Sequence, residues 1–584
     1  MEGFNLRIIR QCRPCIGRRV IGCVALLVDL SVGLAFHKLS IYLQLTWFKS
    51  YIAKLDFPIF TPTLDELAPM AETTPLQLAC YTLLCVLVVT IVLKLKLKIR
   101  VRPASAGRLN LPPGPWALPV IGHMHFLLGA LPHQAMRSLA RRHGPVMLLR
   151  LGHVPTLVLS SEEAAREVMK VHDAAFANRP VYATADVLTY GGQNISFARL
   201  DSRHWKTARK LCTVELLSPR RVRSFRPIRE GEAARLVRSV GDAGATVNVS
   251  ERVKVMMNDV IMRVSVGDRC QQRALYLEEL DKGLDVLSGF NLTDLFPTSR
   301  LARVLGGGSV RAAWEVRERI QSILDAMVED HKRAMESEEA AGAGAGHENE
   351  DILTTLLRFQ RDGGMGGITL TNENVNGVLF DIFSAGSETT ATTTVWAMSE
   401  LIRNPRTMAI AQSEVRRVLQ GKTKVAEADI DGQLHYLQMV IKETFRLHPP
   451  VPLLLPRLCT EQKKIMGYDV PPGTTVFANV WAIGRDEKSW TDASEFKPER
   501  FEVQKVDYGG TNFRFLPGGA GRRMCPGMMF GVSNMEIALA SLLYHFDWRL
   551  PDGASPEKLD MTEAYGITAR RKTNLLLEAT VFVP

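Results

Sequence analysis

Phe515-Leu-Pro-Gly-Gly-Ala-Gly-Arg-Arg-Met-Cys525-Pro-Gly527 is the stretch on which the reading of this chain turns. A glycine-rich loop carries a pair of arginines, then a cysteine, then an apolar run from Met528 to Phe546 of helical length. Pro526 suits the first turn of that helix. Cys525 would then lie at the positive end of the helix dipole, and with Arg522 and Arg523 beside it a thiolate is expected over a thiol. Glycines let backbone amides come close to the sulfur. Three chemistries stay open on these residues alone. The sulfur suits a soft axial ligand for haem iron. A lone cysteine is also a common small buried hydrophobe. The loop could instead cradle a phosphate, but a preceding strand with Gly-x-Gly spacing, or a Lys-Ser/Thr, is missing.

Outward from this loop, composition narrows the field. The chain has 584 residues, 46% of them hydrophobic, which supports a large core rather than a disordered chain. A net charge of +11 favours an acidic partner. Zinc-finger spacing, an aromatic-basic ribonucleoprotein motif and a long Lys/Arg block are all missing, so no nucleic-acid partner is expected. Of nine cysteines, five precede residue 90 and the rest are Cys212, Cys270, Cys459 and Cys525. That odd, scattered set does not make a disulfide framework and fits a reducing compartment. Cys12 and Cys15 form a CxxC without a strand or second pair to support a metal or redox role.

Leu76–Leu93, LQLACYTLLCVLVVTIVL, carries no charge and reaches the lower limit for a membrane-spanning helix. Lys94, Lys96, Lys98, Arg100 and Arg102 follow at once and should hold the C-terminal side in the cytosol. A buried core helix is the rival reading. The segment Leu111–Pro119 has four prolines in nine residues and reads as a stiff spacer. Residues 1–69 open with five arginines and one acid in the first nineteen, then an apolar stretch interrupted by Asp29. They resemble neither a clean signal nor a transit peptide, and are read as an extension from an alternative start. The expected divisions are therefore 1–69, a 70–108 anchor with its basic flank, and a catalytic domain over 109–584.

From about residue 120 the pattern is mainly helical, with Ala312–Met335 and Glu373–Arg403 as long amphipathic stretches. Short strands are expected at Val146–Leu151, Thr156–Ser160, Lys464–Met466 and Thr475–Ala478. Glu339–Glu350 and Asp362–Gly367 read as Gly-rich loops. The fold class is mainly α with small β-sheets, preceded by an N-terminal transmembrane helix.

Other segments are nearly uninformative singly. Glu443-Thr-Phe-Arg446 puts an acid and a base on one helical face, and Arg500 follows in Pro-Glu-Arg-Phe. Ala385-Gly-Ser-Glu-Thr-Thr390 sits in an apolar helix, where Gly386 costs roughly 1 kcal/mol relative to Ala; a Gly beside a hydroxyl and an acid can open a groove for ordered water, and small residues for helix packing are the rival reading. Trp205 and Arg209 lie one turn apart and are both donors suited to a carboxylate.

Together and in this order, these motifs resemble the cytochrome P450 family over about residue 109 to the C-terminus. Gly521, Arg523, Cys525 and Gly527 match the family's haem-binding signature. Its aromatic position is Gly518 here, with Phe515 the nearby ring expected to compensate in part. The resemblance implies a cytochrome P450 fold and haem b ligated by Cys525. It assigns Trp205, Arg209, Arg457 and Arg523 to the haem propionates. Glu443, Arg446 and Arg500 become a buried structural triad, and Thr389 and Glu388 an oxygen-activation pair that relays protons. The basic region of Arg203, Lys206, Lys210, Arg220, Arg221 and Arg223 is implied to dock an acidic flavin domain.

The Pro-rich hinge and Tyr565-Gly-Ile-Thr-Ala-Arg-Arg-Lys572 are similar to plant microsomal A-type members of specialised metabolism, with a lean towards terpenoids. The implied activity is a monooxygenase that inserts one atom of O2 into a small hydrophobic metabolite. Electrons would come from NADPH through cytochrome P450 reductase. The implied location is the endoplasmic reticulum membrane, single-pass and in contact with membrane lipid. Substrate contacts are expected from Tyr182–Phe197, Ser288–Leu305, Ala385, Val451–Leu455 and Gly566–Thr568. The rivals are a reductase-independent haem-thiolate isomerase or dehydratase, a haem carrier or sensor, and a nucleotide-binding membrane protein.

Overall fold

Gly152 and His153 form the two-residue turn of a hairpin between β1 (Val146–Leu151) and β2 (Val154–Leu159). Gly152 has φ +61°, the left-handed geometry that such tight turns favour. A Cβ there would lie 2.5 Å from the Leu295 carbonyl oxygen, so glycine is also needed for close approach. The computed structural model describes residues 109–268, 272–288, 291–340, 350–363 and 369–583.

The helices that matter for the site are α1 (Arg203–Leu211), α2 (Val249–Val266), α3 (Asn372–Gly386), α4 (Glu388–Arg403) and α5 (His435–Leu447). Then come β3 (Arg457–Leu458), β4 (Thr475–Ala478) and α6 (Met528–His545). The largest sheet runs β1-β2-β4-β3, with β2 and β4 parallel and the outer pairs antiparallel. Further small sheets pair Lys463–Ile465 with Tyr468–Val470, and join Val247–Asn248, Leu576–Val581 and Phe546–Arg549. The mainly helical fold with small sheets is thus observed. The expected anchor, Leu76–Leu93, and the 1–69 extension lie outside the described residues. Among the described residues no helix is long and apolar enough to cross a membrane. Most of the Glu339–Glu350 and Asp362–Gly367 loops is likewise outside the description.

The main core forms where α2, α4, α5 and α6 pack together; α6 is buried along nearly its whole length. Trp396 of α4 is fully buried, stacked 4.1 Å from His448 and bonded through its indole to the Ala569 carbonyl. Below it the Glu443–Arg446–Arg500 triad is present and deeply buried. Arg446 uses all its N–H donors: on both Glu443 oxygens at 2.7 Å, and on the carbonyls of Gly484, Ala493 and Glu495. Glu443 also accepts from Arg500 at 2.9 Å and from the Lys497 amide. Each buried charge is therefore paired and hydrogen-bonded, the condition under which it is tolerated.

The long helix expected over Glu373–Arg403 is broken at Ser387 into α3 and α4. The cause is local. Thr389 Oγ1 donates to the Ala385 carbonyl at 2.6 Å, and Thr390 Oγ1 to the Gly386 carbonyl at 2.8 Å. Hydroxyls take carbonyls that helical amides would otherwise use, which bends a helix. At the other motif, Pro526 falls outside α6, whose N-cap is Gly527. The expectation of proline in the first turn is corrected by one turn of irregular backbone after Cys525.

A candidate haem-thiolate site

Cys525 is held by its own loop: its amide donates to the Gly518 carbonyl at 2.8 Å. Its sulfur opens onto a cavity of about 280 Å³ between the loop and the α3–α4 break. Trp205, Arg209, Arg457, Arg523 and Thr389 all line this cavity, so distant sequence positions converge there. Glu388 is not among the lining residues. It lies half-buried on the same turn as Thr389. Burial raises its carboxyl above the ordinary range, opposed by Lys254 and Arg570.

The guanidiniums make the site strongly cationic. Arg523 donates to the carbonyls of Ala177, Ile195 and Ala198, and lies 4.7 Å above the Trp205 ring. Burial, with Arg457 and Arg209 close by, pulls its pKa down to about 10. Arg209 bonds to the Met524 carbonyl at 2.6 Å, and Arg457 to Asp173 at 2.9 Å and to the Ala520 carbonyl. Burial lowers the pKa of both. Asp381 is the one carboxylate lining this cavity. Among the described residues the Trp205 indole N–H is buried without a partner. An orphan donor among crowded arginines is what a ligand with carboxylate groups would satisfy.

The sulfur has mixed surroundings. It is exposed to the cavity yet enclosed by protein, and burial pushes its pKa up; the Gly527 amide and Arg209 act in the opposite direction. Arg522 and Arg523 are both engaged with other partners. Arg522 pairs with Asp173 at 2.9 Å, and Arg523 is turned onto carbonyls. The cavity's other thiol, Cys212, is pushed up by burial to about 12 and stays a neutral hydrophobe.

Sequence reasoning missed four residues. Arg179 lines the cavity and is buried against the carbonyls of Ser196, Leu455 and Pro456. Asp173 accepts from Arg457, the Arg522 amide and the Arg522 guanidinium, tying the cysteine loop to β3. Asp381 accepts from Asn194 and from the amides of Ile195 and Ser196, pinning that loop to α3. Met528 borders Gly518. An acid within the apolar stretch of α3 was the available signal, because a buried carboxylate must be paired. Phe515 does not compensate for the missing aromatic; it packs on Phe501 and Tyr508 inside the main core. Arg221, expected on the basic surface, is instead buried and donates to the Glu350 carbonyl and to Thr355.

A second, mostly apolar chamber of about 150 Å³ shares Val451 and Leu454 with the first. Tyr182, Phe197, Asn291, Leu295, Gly566 and Ile567 line it, whereas Ala385 lines the first cavity. The substrate segments expected from sequence thus divide between two chambers.

The family model described as Cytochrome P450 matches residues 112–577. The chain belongs to the cytochrome P450 family. Zealexin A1 synthase of Zea mays is 48% identical over 80% of this chain and 92% of its own length. Dolabradiene monooxygenase, also of Zea mays, has the same identity and coverage. Among solved structures, a zebrafish cytochrome P450 with progesterone aligns at a TM-score of 0.64 and 25% identity. It covers 77% of this chain and 99% of that one. This P450 is accordingly a haem-dependent monooxygenase of the plant specialised-metabolism type, acting on a hydrophobic small molecule. Its cavity fits that cofactor, with one thiol on one side and anion-seeking donors around the rim.

Proposed function

We propose that this P450 hydroxylates a terpenoid metabolite, with Cys525 as the iron ligand and electrons delivered from NADPH by cytochrome P450 reductase. The observation that carries the reading is a single cavity bounded by Cys525, by the cationic rim of Trp205, Arg209, Arg457 and Arg523, and by Thr389 opposite an apolar wall. Relatives named for a synthase and a diene monooxygenase support an apolar substrate. The adjoining apolar chamber supports one larger than the haem-side space alone would take.

Haem, when bound, supplies reductive activation of O2 and transfer of one oxygen atom to the substrate. The protein's own groups do the rest. Trp205, Arg209, Arg457 and Arg523 would hold the propionates of the bound haem. Val451, Leu454 and Ala385 give the cavity an apolar lining that would exclude water and orient a hydrophobic substrate. Thr389 holds a proton at Oγ1, shared with the Ala385 carbonyl at 2.6 Å, and can turn it into the cavity. Glu388, whose carboxyl is raised by burial, is the nearby group that can replace that proton.

Arg203, Lys206, Lys210, Arg220 and Arg223 are exposed around α1 and form the reductase-facing surface. Leu76–Leu93 and its basic flank anchor the chain in the endoplasmic reticulum membrane with the catalytic domain in the cytosol. Co-expression with a plant reductase and a panel of terpene and phenolic candidates tests the proposal. A hydroxylated terpene whose formation requires NADPH is expected. Product formed from peroxides without reductase would favour the isomerase or dehydratase reading, and oxidation of phenolics alone would remove the terpenoid assignment.

A further inference from the structure

The ring that the family signature places seven residues before the cysteine is absent, because that position is Gly518. The structure says what stands there instead. A Cβ built on Gly518 would lie 3.1 Å from Cys525 Cβ and 3.1 Å from Met528 Sδ. The space beside the cysteine is thus taken by the Met528 thioether. Met528 is the first residue of α6, is buried, and lines the same cavity as Cys525 and Gly518. Phe515 is committed elsewhere, to Phe501 and Tyr508.

We propose that Gly518 and Met528 act as one unit: the bare glycine admits the Met528 side chain, which positions and shields the Cys525 sulfur in the role of the missing ring. The proposal rests on Cys525 being the iron ligand. A methionine suits the role, being unbranched, polarizable and able to fill an irregular gap. Its chain also keeps water from the sulfur's flank. Water there would donate hydrogen bonds to the ligand, weaken its donation and move the metal's potential upward. The two residues cannot be exchanged singly. A ring at 518 must expel the thioether, and removal of the thioether leaves a void that the glycine does not fill.

The test is a double-variant cycle on purified, haem-loaded protein, read by reduction potential and by the carbonyl band of the reduced form. The wild type is expected to show the thiolate-type band. Met528→Ala should raise the potential and convert part of that band to the thiol type, while Met528→Leu, which keeps the volume, should hold most of it. Gly518→Phe alone should also lose band, and Gly518→Phe with Met528→Ala should recover it towards wild type.

An unchanged potential and band in Met528→Ala would overturn the proposal while leaving Cys525 as ligand. So would a double variant no better than the worse single one. A wild type lacking the thiolate band would bring down both readings together. Should Met528→Ala take up no haem, Gly518→Ala tests the pair from the other side. Its Cβ must push the thioether aside and shift the potential; no shift overturns the proposal.

Discussion

The Thr389 hydroxyl is bonded back to Ala385 and opens onto the cavity, so its proton is both held and available. Thr389→Ala is expected to keep consuming NADPH while product per NADPH falls by about tenfold or more, the difference appearing as hydrogen peroxide. Thr389→Ser should retain most of the coupling. Equal product yield in the alanine variant would end the proton-relay role. At Cys525 the sulfur is the cavity's one loop-held thiol, and Cys525→Ser is expected to abolish the thiolate-type carbonyl absorbance. An unaltered spectrum would remove the ligand assignment, since Cys212 is a buried neutral thiol in no position to replace it unnoticed. At this scale the sequence picked out Cys525, Trp205 and Arg209 by residue type, and the fold brings all three to one cavity. The sequence was not legible for Arg179 or Met528. Their roles come from carbonyls and a glycine brought near by folding, and neither local pattern nor composition encodes such proximity.

Elements meet at the α3–α4 break, where Gly386 packs against α2. A Cβ at Gly386 would lie 2.5 Å from Ile261 Cδ1 and 3.1 Å from its Cγ1. Gly386→Ala is therefore expected to destabilise the fold by about 1–3 kcal/mol through overpacking. Ile261→Val removes the offending methyl, so the double variant should regain a good part of the loss in thermal unfolding. Strictly additive effects would mean that the two residues do not press on each other. The triad gives a larger effect. Glu443→Gln leaves Arg446 buried with its charge unmatched, and a loss of about 3–5 kcal/mol is expected. Denaturant unfolding of the variant checks this, and a loss below about 1 kcal/mol would mean that solvent reaches the pair. The Glu-x-x-Arg spacing was visible in sequence because it is helical. The break at Ser387 was not predicted, since an apolar period continues through it. What interrupts the helix is hydroxyl back-bonding, a competition that periodicity does not register.

Across the molecule, a local cluster of basic side chains lies beside the site, whatever the sign of the rest of the chain. Arg203, Lys206, Lys210, Arg220 and Arg223 stand exposed around α1, the helix that also carries Trp205 and Arg209 inward. One amphipathic helix thus presents a basic face to solvent and donors to the cavity. This is why the sequence showed the two functions interleaved without separating them; burial had to sort Arg221 from its neighbours. If the outer face receives an acidic flavin domain, attraction across it should speed encounter and be screened by salt over a Debye length of about 8 Å at physiological ionic strength. Lys206→Glu with Lys210→Glu is expected to lower reductase-supported turnover at limiting reductase by about tenfold at low salt. The carbonyl spectrum should stay unchanged, because neither residue lines the cavity. Raising the ionic strength should shrink the gap between variant and wild type, since it slows only the attractive encounter. A gap that persists undiminished in high salt would place the reductase on another face. A changed spectrum would instead mean that the charges act through α1 on the cavity itself.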